Sequence, residues 1–234
     1  MILDPEGLTP NQIEDIEKAT LRLVTQAIFD YRVTALEIFR EETDLVSDIG
    51  EDITREALDR LGMPRIDRRL FGKVDYKQAC YLFLPDYAIK QALFVDSKAE
   101  KVNAQDTATL QISQISMTVM QVRRNKEYKI SGTLPKVITF GAEKYLTTTL
   151  LVKYNYEETT SDGRTLKSIT VAAVPNGKLQ DQYNPNPEET IWKAGRNAKN
   201  EEFRVRLCFS KLAEKAKWRV QTILIPSDHL EWSQ

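Results

Sequence analysis

Residues 91–98 read Gln-Ala-Leu-Phe-Val-Asp-Ser-Lys, an apolar run that ends in two charged side chains separated by a serine. The run is typical of a buried β-strand. Because side chains alternate across a strand, we expect Asp96 and Lys98 to point to one side and Ser97 to the other. Burying a carboxylate and an ammonium group is costly unless they are paired or bind an ion. The segment therefore indicates either an ion pair at a strand end or part of a cation site.

A second carboxylate, Asp75, ends another short predicted strand upstream. Two strands of one sheet would bring Asp75 and Asp96 within reach of one cation. With a backbone carbonyl, which we assign to Ser97, these oxygens suit Mg²⁺, and the ion would polarise a phosphate and lower the pKa of bound water. Lys98 would orient that water and stabilise charge developing on the phosphate. Taken alone, the spacing is explained more simply by an exposed strand end with an ion pair.

The composition excludes several other classes of protein. The 234 residues are 41% hydrophobic and 29% charged, which is enough for one sizeable core or at most two small ones. No apolar run is long enough to span a membrane, and the acidic N-terminus does not resemble a signal peptide. Two cysteines and one histidine are too few for a disulfide framework or a histidine-rich metal site, and they make cysteine–histidine or serine–histidine catalysis improbable. The cysteine content favours the cytoplasm.

Charge is distributed unevenly, although the formal net charge is −1. Residues 1–60 contain fifteen acidic and six basic residues, whereas residues 193–219 contain nine basic and three acidic ones. The basic segment indicates a surface that binds a polyanion. A solvated helix surface would explain the same charges equally well.

The pattern of apolar residues predicts helices first and strands afterwards. Thr9 and Pro10 indicate the start of a helix that continues to about Phe39, and a second helix is predicted over 51–61. At the start of that second helix, the negative charge of Glu51 would interact favourably with the helix dipole. The segments typical of strands are 71–76, 79–83, 91–96, 145–157, 165–174, 202–209 and 218–225, with a short helix over 210–217. Residues 107–122 could be strand or helix. One α/β domain with a mixed central sheet is the simplest interpretation.

An ordered series of segments resembles the SfiI-like type II restriction endonucleases. The likeness extends from about residue 14 to about residue 222, and it is far more specific than Asp-x-Lys alone. Two further segments, 174–177 and 203–207, resemble the related BglI enzymes. The matching segments are 16–22 (IEKATLR), 50–62 (GEDITREALDRLG), 66–69 (IDRR), 72–77 (GKVDYK), 93–99 (LFVDSKA), 106–107, 110–111, 113–114, 166–169 (LKSI) and 183–187 (YNPNP).

This resemblance implies an α/β fold with a PD-(D/E)xK restriction-endonuclease core of the EcoRV-like and BglI-like branch, a mixed central sheet flanked by helices. It implies Mg²⁺-dependent cleavage of double-stranded DNA at an interrupted palindrome, leaving 3′ overhangs. By motif position, Asp75 and Asp96 are the expected metal ligands and Lys98 the catalytic lysine. Val74 stands where many members have proline, a residue that is often absent in the superfamily. We expect one endonuclease domain over 1–234, with an N-terminal helical part (1–62) and a catalytic and DNA-reading sheet (63–234).

The expected DNA-reading residues lie in the basic segment. Arg204 and Arg206 would project from one face of a strand, where each guanidinium can bond O6 and N7 of a guanine. An outward polar face of an ordinary strand would look the same, and the resemblance favours the reading role. Arg196 and Lys199 lie in a basic loop that would reach bases or phosphates. Asn176 is a weaker candidate, because its position in a tight turn explains it.

The symmetry of a palindrome implies at least a homodimer, and a homotetramer that binds two sites also fits the resemblance. A prokaryotic cytoplasm and a cognate DNA methyltransferase as genetic partner are implied, with no membrane association. Two alternatives stay open. One is a structure-specific repair or recombination nuclease of the same fold. The other is a DNA-binding protein that does not cut, in which Asp96 and Lys98 form a structural ion pair.

Overall fold

Three helices form the N-terminal part of the chain. The computed structural model describes residues 2–42, 46–64, 78–102, 106–123, 125–158, 163–193 and 204–234. Within these ranges the helices are α1 (Pro10–Asp30), α2 (Arg32–Glu41) and α3 (Val46–Asp59).

The predicted start of α1 is confirmed. The Thr9 hydroxyl accepts a hydrogen bond from the backbone N–H of Gln12, the Gln12 side-chain oxygen accepts one from the backbone N–H of Thr9, and Pro10 occupies the first turn. The predicted end was wrong, because Tyr31 separates α1 from α2. The second predicted helix also begins earlier, at Val46. Glu51 therefore lies inside α3, and its assignment to the helix dipole was wrong.

Among the described residues, six strands form a mixed sheet, and the predicted fold class is confirmed. The order is β1-β2-β7-β8-β10, and β6 pairs with the first part of β7. The central pair, β2 with β7, is parallel, and the other pairs are antiparallel. The strands are β1 (Gln78–Leu84), β2 (Ile89–Lys101), β6 (Val137–Phe140), β7 (Glu143–Glu158), β8 (Arg164–Val174) and β10 (Val220–Leu224).

Two small two-stranded sheets accompany the main sheet. β3 (Thr107–Gln111) pairs with β9 (Arg204–Cys208), and β4 (Thr118–Arg123) pairs with β5 (Lys126–Ser131). A 3₁₀ turn over Ile112–Gln114 follows β3. The ambiguous segment 107–122 is therefore strand, turn and strand. Two short helices, α4 (Gln180–Tyr183) and α5 (Phe209–Lys215), lie in the C-terminal part of the chain.

The main sheet has a hydrophobic cluster on each face. On one face, Val95 and Val152 pack with buried residues of α1, α2 and α3. On the other, Leu151 and Ala172 pack with residues of β3, β9 and α5. Most of α1–α3 therefore covers the face opposite the β3–β9 pair, while α5 and the beginning of α1 (Ile13, Ile16) pack on the same face as that pair. None of the helices in the described ranges combines the length and the apolar character needed to cross a bilayer.

A buried ion pair joins α1 to the C-terminal part of the chain. Arg219 is fully buried, and its guanidinium lies 2.8 Å from the Glu17 carboxylate, which is also fully buried. The guanidinium lies over the rings of Tyr183 and Trp218, 4.3 Å from each centroid. Glu17 also accepts a hydrogen bond from the backbone N–H of Asn176. This carboxylate therefore fixes the first helix against two later segments of the chain.

Candidate active site and DNA-reading strand

The strand β2 places Asp96 inside the protein. Residues 91–97 are all buried, because β2 lies between β1 and β7 and both faces of the sheet are covered at this strand. Side chains alternate as predicted. The Ser97 hydroxyl points to α3 and donates to the Thr54 hydroxyl at 2.7 Å, whereas Asp96 points to the face covered by β3 and β9. The carboxylate is 5% exposed.

In the part of the chain that the structure describes, two side chains hydrogen-bond or ion-pair with the Asp96 carboxylate. The Lys98 ammonium lies 2.8 Å from Oδ2 and 3.0 Å from Oδ1, so the two charged residues share one side of the strand. Nε2 of Gln114 donates a hydrogen bond to Oδ1 at 3.0 Å. Lys98 is 32% exposed and thus extends from a buried partner towards solvent.

Burial raises the pKa of Asp96 above the ordinary aspartate value. Lys98 and the hydrogen bond from Gln114 act in the opposite direction, while the negative charge of Glu51 raises the pKa further. Desolvation is the largest of these effects, so the ionised Asp96 carboxylate destabilises the folded protein. A bound cation would relieve that destabilisation.

The available donors are hard oxygens, which fit Mg²⁺. The Asp96 carboxylate and the Ser97 carbonyl belong to adjacent residues of β2, and the predicted partner Asp75 lies outside the described residues. Within the described ranges, no group of three or more histidine, cysteine or acidic side chains could hold a metal ion. The two-carboxylate site therefore stays a prediction that depends on Asp75.

A second lysine lies beside Lys98 on the neighbouring strand. Lys153 of β7 is the register partner of Lys98 and is buried. Its ammonium donates to the Thr107 carbonyl at 3.1 Å and lies 2.8 Å from Glu100. Lys153 thus fixes the beginning of β3 to the sheet that carries Asp96.

The predicted reading strand is present as β9. Val205 and Leu207 are buried, Arg204 is exposed and Arg206 is half-buried, as the alternation predicted. Arg204 lies opposite Gln111 of β3 and Arg206 opposite Thr109. Both arginines therefore lie on one side of the β3–β9 pair. Arg196 and Lys199 fall outside the described residues.

The Asn176 side chain is buried within the protein and does not face solvent. It is 2% exposed, and its side-chain amide donates to the carbonyls of Lys136 and Thr147. Its Oδ1 accepts from the backbone N–H of Lys178. The amide is therefore occupied in fastening the turn, and we leave Asn176 out of the proposed DNA contacts.

Two residues near the site were missed by the sequence analysis. Gln114 contacts Asp96 directly, and Glu51 influences the Asp96 pKa from α3. The segment containing Gln114 has no clear period, so its fold was ambiguous. Two signals were available: the family resemblance includes 110–111 and 113–114, and the three-residue spacing lets the Gln114 side chain accept a hydrogen bond from the Gln111 backbone N–H.

Comparison with known proteins gives one consistent result. The family model described as type II restriction enzyme SfiI matches residues 29–223. The type II restriction enzyme SfiI of Streptomyces fimbriatus is 32% identical over 242 residues, covering 96% of this chain and 89% of that protein.

Two crystal structures are also similar. The tetrameric restriction endonuclease SfiI bound to cognate DNA has a TM-score of 0.85 at 30% identity, covering all of this chain and 92% of that one. The restriction endonuclease BglI bound to its DNA recognition sequence has a TM-score of 0.74, covering 93% and 92%. At 19% identity, the BglI match supports the fold alone.

Proposed function

Since the chain belongs to the SfiI family of type II restriction enzymes, its activity is site-specific DNA cleavage, and we propose that it hydrolyses double-stranded DNA at an interrupted palindrome containing G·C pairs. We further propose that the reaction depends on Mg²⁺ and leaves 3′ overhangs. The observation that carries this proposal is the ion pair, at 2.8 Å, of buried Asp96 with partly exposed Lys98 on β2, which pairs in parallel with β7.

In the proposed mechanism, the Asp96 carboxylate, the Ser97 carbonyl and Asp75 would hold Mg²⁺. The bound ion would polarise the scissile phosphate and lower the pKa of a water molecule. Lys98 would donate a hydrogen bond to the attacking water and to the charge that develops on the phosphate. Its partly exposed side chain permits such contact, because the ammonium lies between buried Asp96 and solvent.

We propose that side chains of β9 recognise the DNA sequence. Arg204 and Arg206 would each bond the O6 and N7 atoms of a guanine in the major groove. Arg196 and Lys199 would contact bases or phosphates. The support is the shared face of the two arginines on a strand whose other face is fixed by buried Val205 and Leu207.

The proposed assembly follows from the symmetry of the substrate. Reading a palindrome requires at least a homodimer, and the similar SfiI is tetrameric on its cognate DNA. We propose a prokaryotic cytoplasmic enzyme with a cognate DNA methyltransferase as genetic partner. We also propose that the helical part (1–62) and the sheet part (63–234) form one domain, since α1–α3 share a hydrophobic cluster with the sheet.

Digestion of plasmid DNA tests the proposed function. The purified protein is incubated with and without Mg²⁺, and the ends of the fragments are sequenced. Discrete fragments with one common sequence and 3′ overhangs, formed only with the metal, are expected. Blunt or 5′-extended ends would refute the proposed geometry of cleavage. Cutting confined to branched substrates would favour a repair nuclease, and gel shift without cutting would favour a DNA-binding protein that does not cleave.

A further inference from the structure

A single side-chain amide connects the reading strands with the candidate catalytic carboxylate. Gln114 ends the 3₁₀ turn after β3 and is 4% exposed. Its Nε2 donates to Oδ1 of Asp96 at 3.0 Å, and its Oε1 accepts from the backbone N–H of Gln111 at 2.8 Å. Both ends of the amide are therefore used, one towards β2 and the other towards β3.

The β3 end of this connection lies directly beside a reading residue. Gln111 is the register partner of Arg204 in β9. The path from Arg204 to Asp96 thus consists of one strand pairing and the two hydrogen bonds of Gln114. At the other end of β3, Lys153 holds the Thr107 carbonyl against the main sheet. The strand is therefore attached at both ends to the sheet that carries Asp96.

We propose that Gln114 is a positioning residue that makes the orientation of Asp96 depend on the seating of β3 and β9 on DNA. The proposal rests on the proposed function, since it takes Asp96 as catalytic and β9 as the reading strand. A planar amide held at both ends transmits a displacement of Gln111 to its Nε2 donor. When the arginines of β9 bind the correct bases, Nε2 of Gln114 stays hydrogen-bonded to Oδ1 of Asp96. When they meet incorrect bases, the displaced β3 moves this donor away from Oδ1.

The expected loss of activity on removing the Gln114 hydrogen bond can be taken from other hydrogen bonds that hold a metal ligand in place. Catalytic groups must be held within about 0.5 Å of their productive position. Losing a hydrogen-bond partner behind a metal ligand typically costs about 10–100-fold in metal affinity or activity. We expect the same range for loss of the Gln114 donor.

Two variants of Gln114 separate its two hydrogen bonds, and a third variant is a matched control. Gln114→Leu removes both bonds. Gln114→Glu retains an acceptor for Gln111 and, in its ionised form, replaces the donor to Asp96 by a second carboxylate. Gln91→Leu makes the same chemical change on β2, where the buried Gln91 accepts from the hydroxyls of Thr20 and Thr148.

Four quantities are measured for each protein. They are thermal stability, affinity for cognate duplex in Ca²⁺, Ca²⁺ binding to the protein–DNA complex by calorimetry, and single-turnover cleavage in Mg²⁺. Cleavage is followed on the cognate duplex and on one with a single base pair changed. Failure of the wild-type protein to cut would refute the proposed function, whereas the Gln114 proposal is judged from variants of a cutting enzyme.

We expect both Gln114 variants to bind cognate DNA within about threefold of wild type and to cut it about 10–100-fold more slowly. Gln114→Leu should also weaken Ca²⁺ binding to the complex, and Gln91→Leu should leave all rates near wild type. The cognate-to-altered ratio of cleavage rates should fall about tenfold in both Gln114 variants. Equal slowing on both duplexes would overturn the proposed coupling. So would wild-type cutting by Gln114→Glu, including the case in which Gln114→Leu does not fold.

Discussion

Replacing Asp96 by asparagine separates the proposed catalytic role of the carboxylate from its cost to the fold. The substitution preserves the shape of the side chain and removes a charge that is 5% exposed. Burial raises the pKa of Asp96, and the nearby Glu51 charge acts in the same direction, against Lys98 and Gln114. Because the raised pKa means that the ionised form is disfavoured in the fold, Asp96→Asn should stabilise the protein while abolishing cleavage.

The expected gain in stability is about 0.5–2 kcal/mol, the size that single stabilising substitutions commonly have. For a chain of this size, that corresponds to a rise in Tm of about 1–8 °C. Loss of the ion pair subtracts little, since Lys98 is 32% exposed and becomes hydrated instead. The gain in the free energy of unfolding should reach its full value at pH values above the raised pKa of Asp96. It should shrink as the pH falls towards the ordinary aspartate value of 3.8, because Asp96 is then protonated in both folded and unfolded protein.

Thermal unfolding and single-turnover cleavage in Mg²⁺ are the required measurements, with DNA affinity determined separately in Ca²⁺. Asp86→Asn is the matched control, since Asp86 is an exposed aspartate in the turn between β1 and β2. The control should change neither stability nor cleavage. For Asp96→Asn we expect cleavage to fall by at least about 10²-fold with DNA binding retained. A lower Tm at neutral pH, or cleavage near the wild-type rate, would refute the reasoning.

Three further substitutions test other parts of the molecule. Lys98→Ala should slow cleavage by about 10²–10³-fold while metal binding, measured by calorimetry on the DNA complex, survives better than in Asp96 variants; a normal cleavage rate would contradict the assignment. Arg204→Ala or Arg206→Ala should weaken the free energy of binding to cognate duplex by about 1–3 kcal/mol and that to scrambled duplex by much less. Binding isotherms at several salt concentrations measure both values, and equal losses on the two duplexes would indicate phosphate contacts instead. Arg219→Met should lower the free energy of unfolding by about 3–5 kcal/mol in denaturant titrations, because its buried carboxylate partner is left without a counter-charge. A change below about 1 kcal/mol would show that the pair is not buried in solution.

The parts of the fold that could be predicted are those in which a local pattern coincides with burial. The apolar runs of β2, β7 and β8 predicted strands, and the capping residues of α1 predicted its beginning. β5 and β6 received no prediction. β5 is largely exposed and carries charged side chains, so it has no hydrophobic pattern of its own. The parallel pairing of β2 with β7 is equally invisible in a local pattern, because more than 40 residues separate the strands in the sequence.

The candidate site shows the same division. The alternation of side chains along β2 correctly placed Asp96 and Lys98 together and Ser97 opposite, since this geometry is local. Gln114 reaches Asp96 from a 3₁₀ turn fixed by tertiary contacts, and no period in 107–122 indicated it. Asn176 was chosen for its residue type, whereas its burial depends on Lys136, Thr147 and Glu17 from distant parts of the chain. Asp75 as a metal ligand stays a prediction.

The order of the strands along the chain bears on how the enzyme is made by the ribosome. β2 is synthesised well before β9, which lies in the last segment of the chain. At a typical translation rate of about 5–20 residues per second, the interval between them is about 5–20 s. Until β9 emerges, β3 lacks the strand with which it pairs, and buried Val205 and Leu207 are not yet there to cover the sheet face that carries Asp96. A nascent chain therefore contains Asp96 and Lys98 before its proposed reading strand, and the β3–β9 pair forms only in the last stage of synthesis.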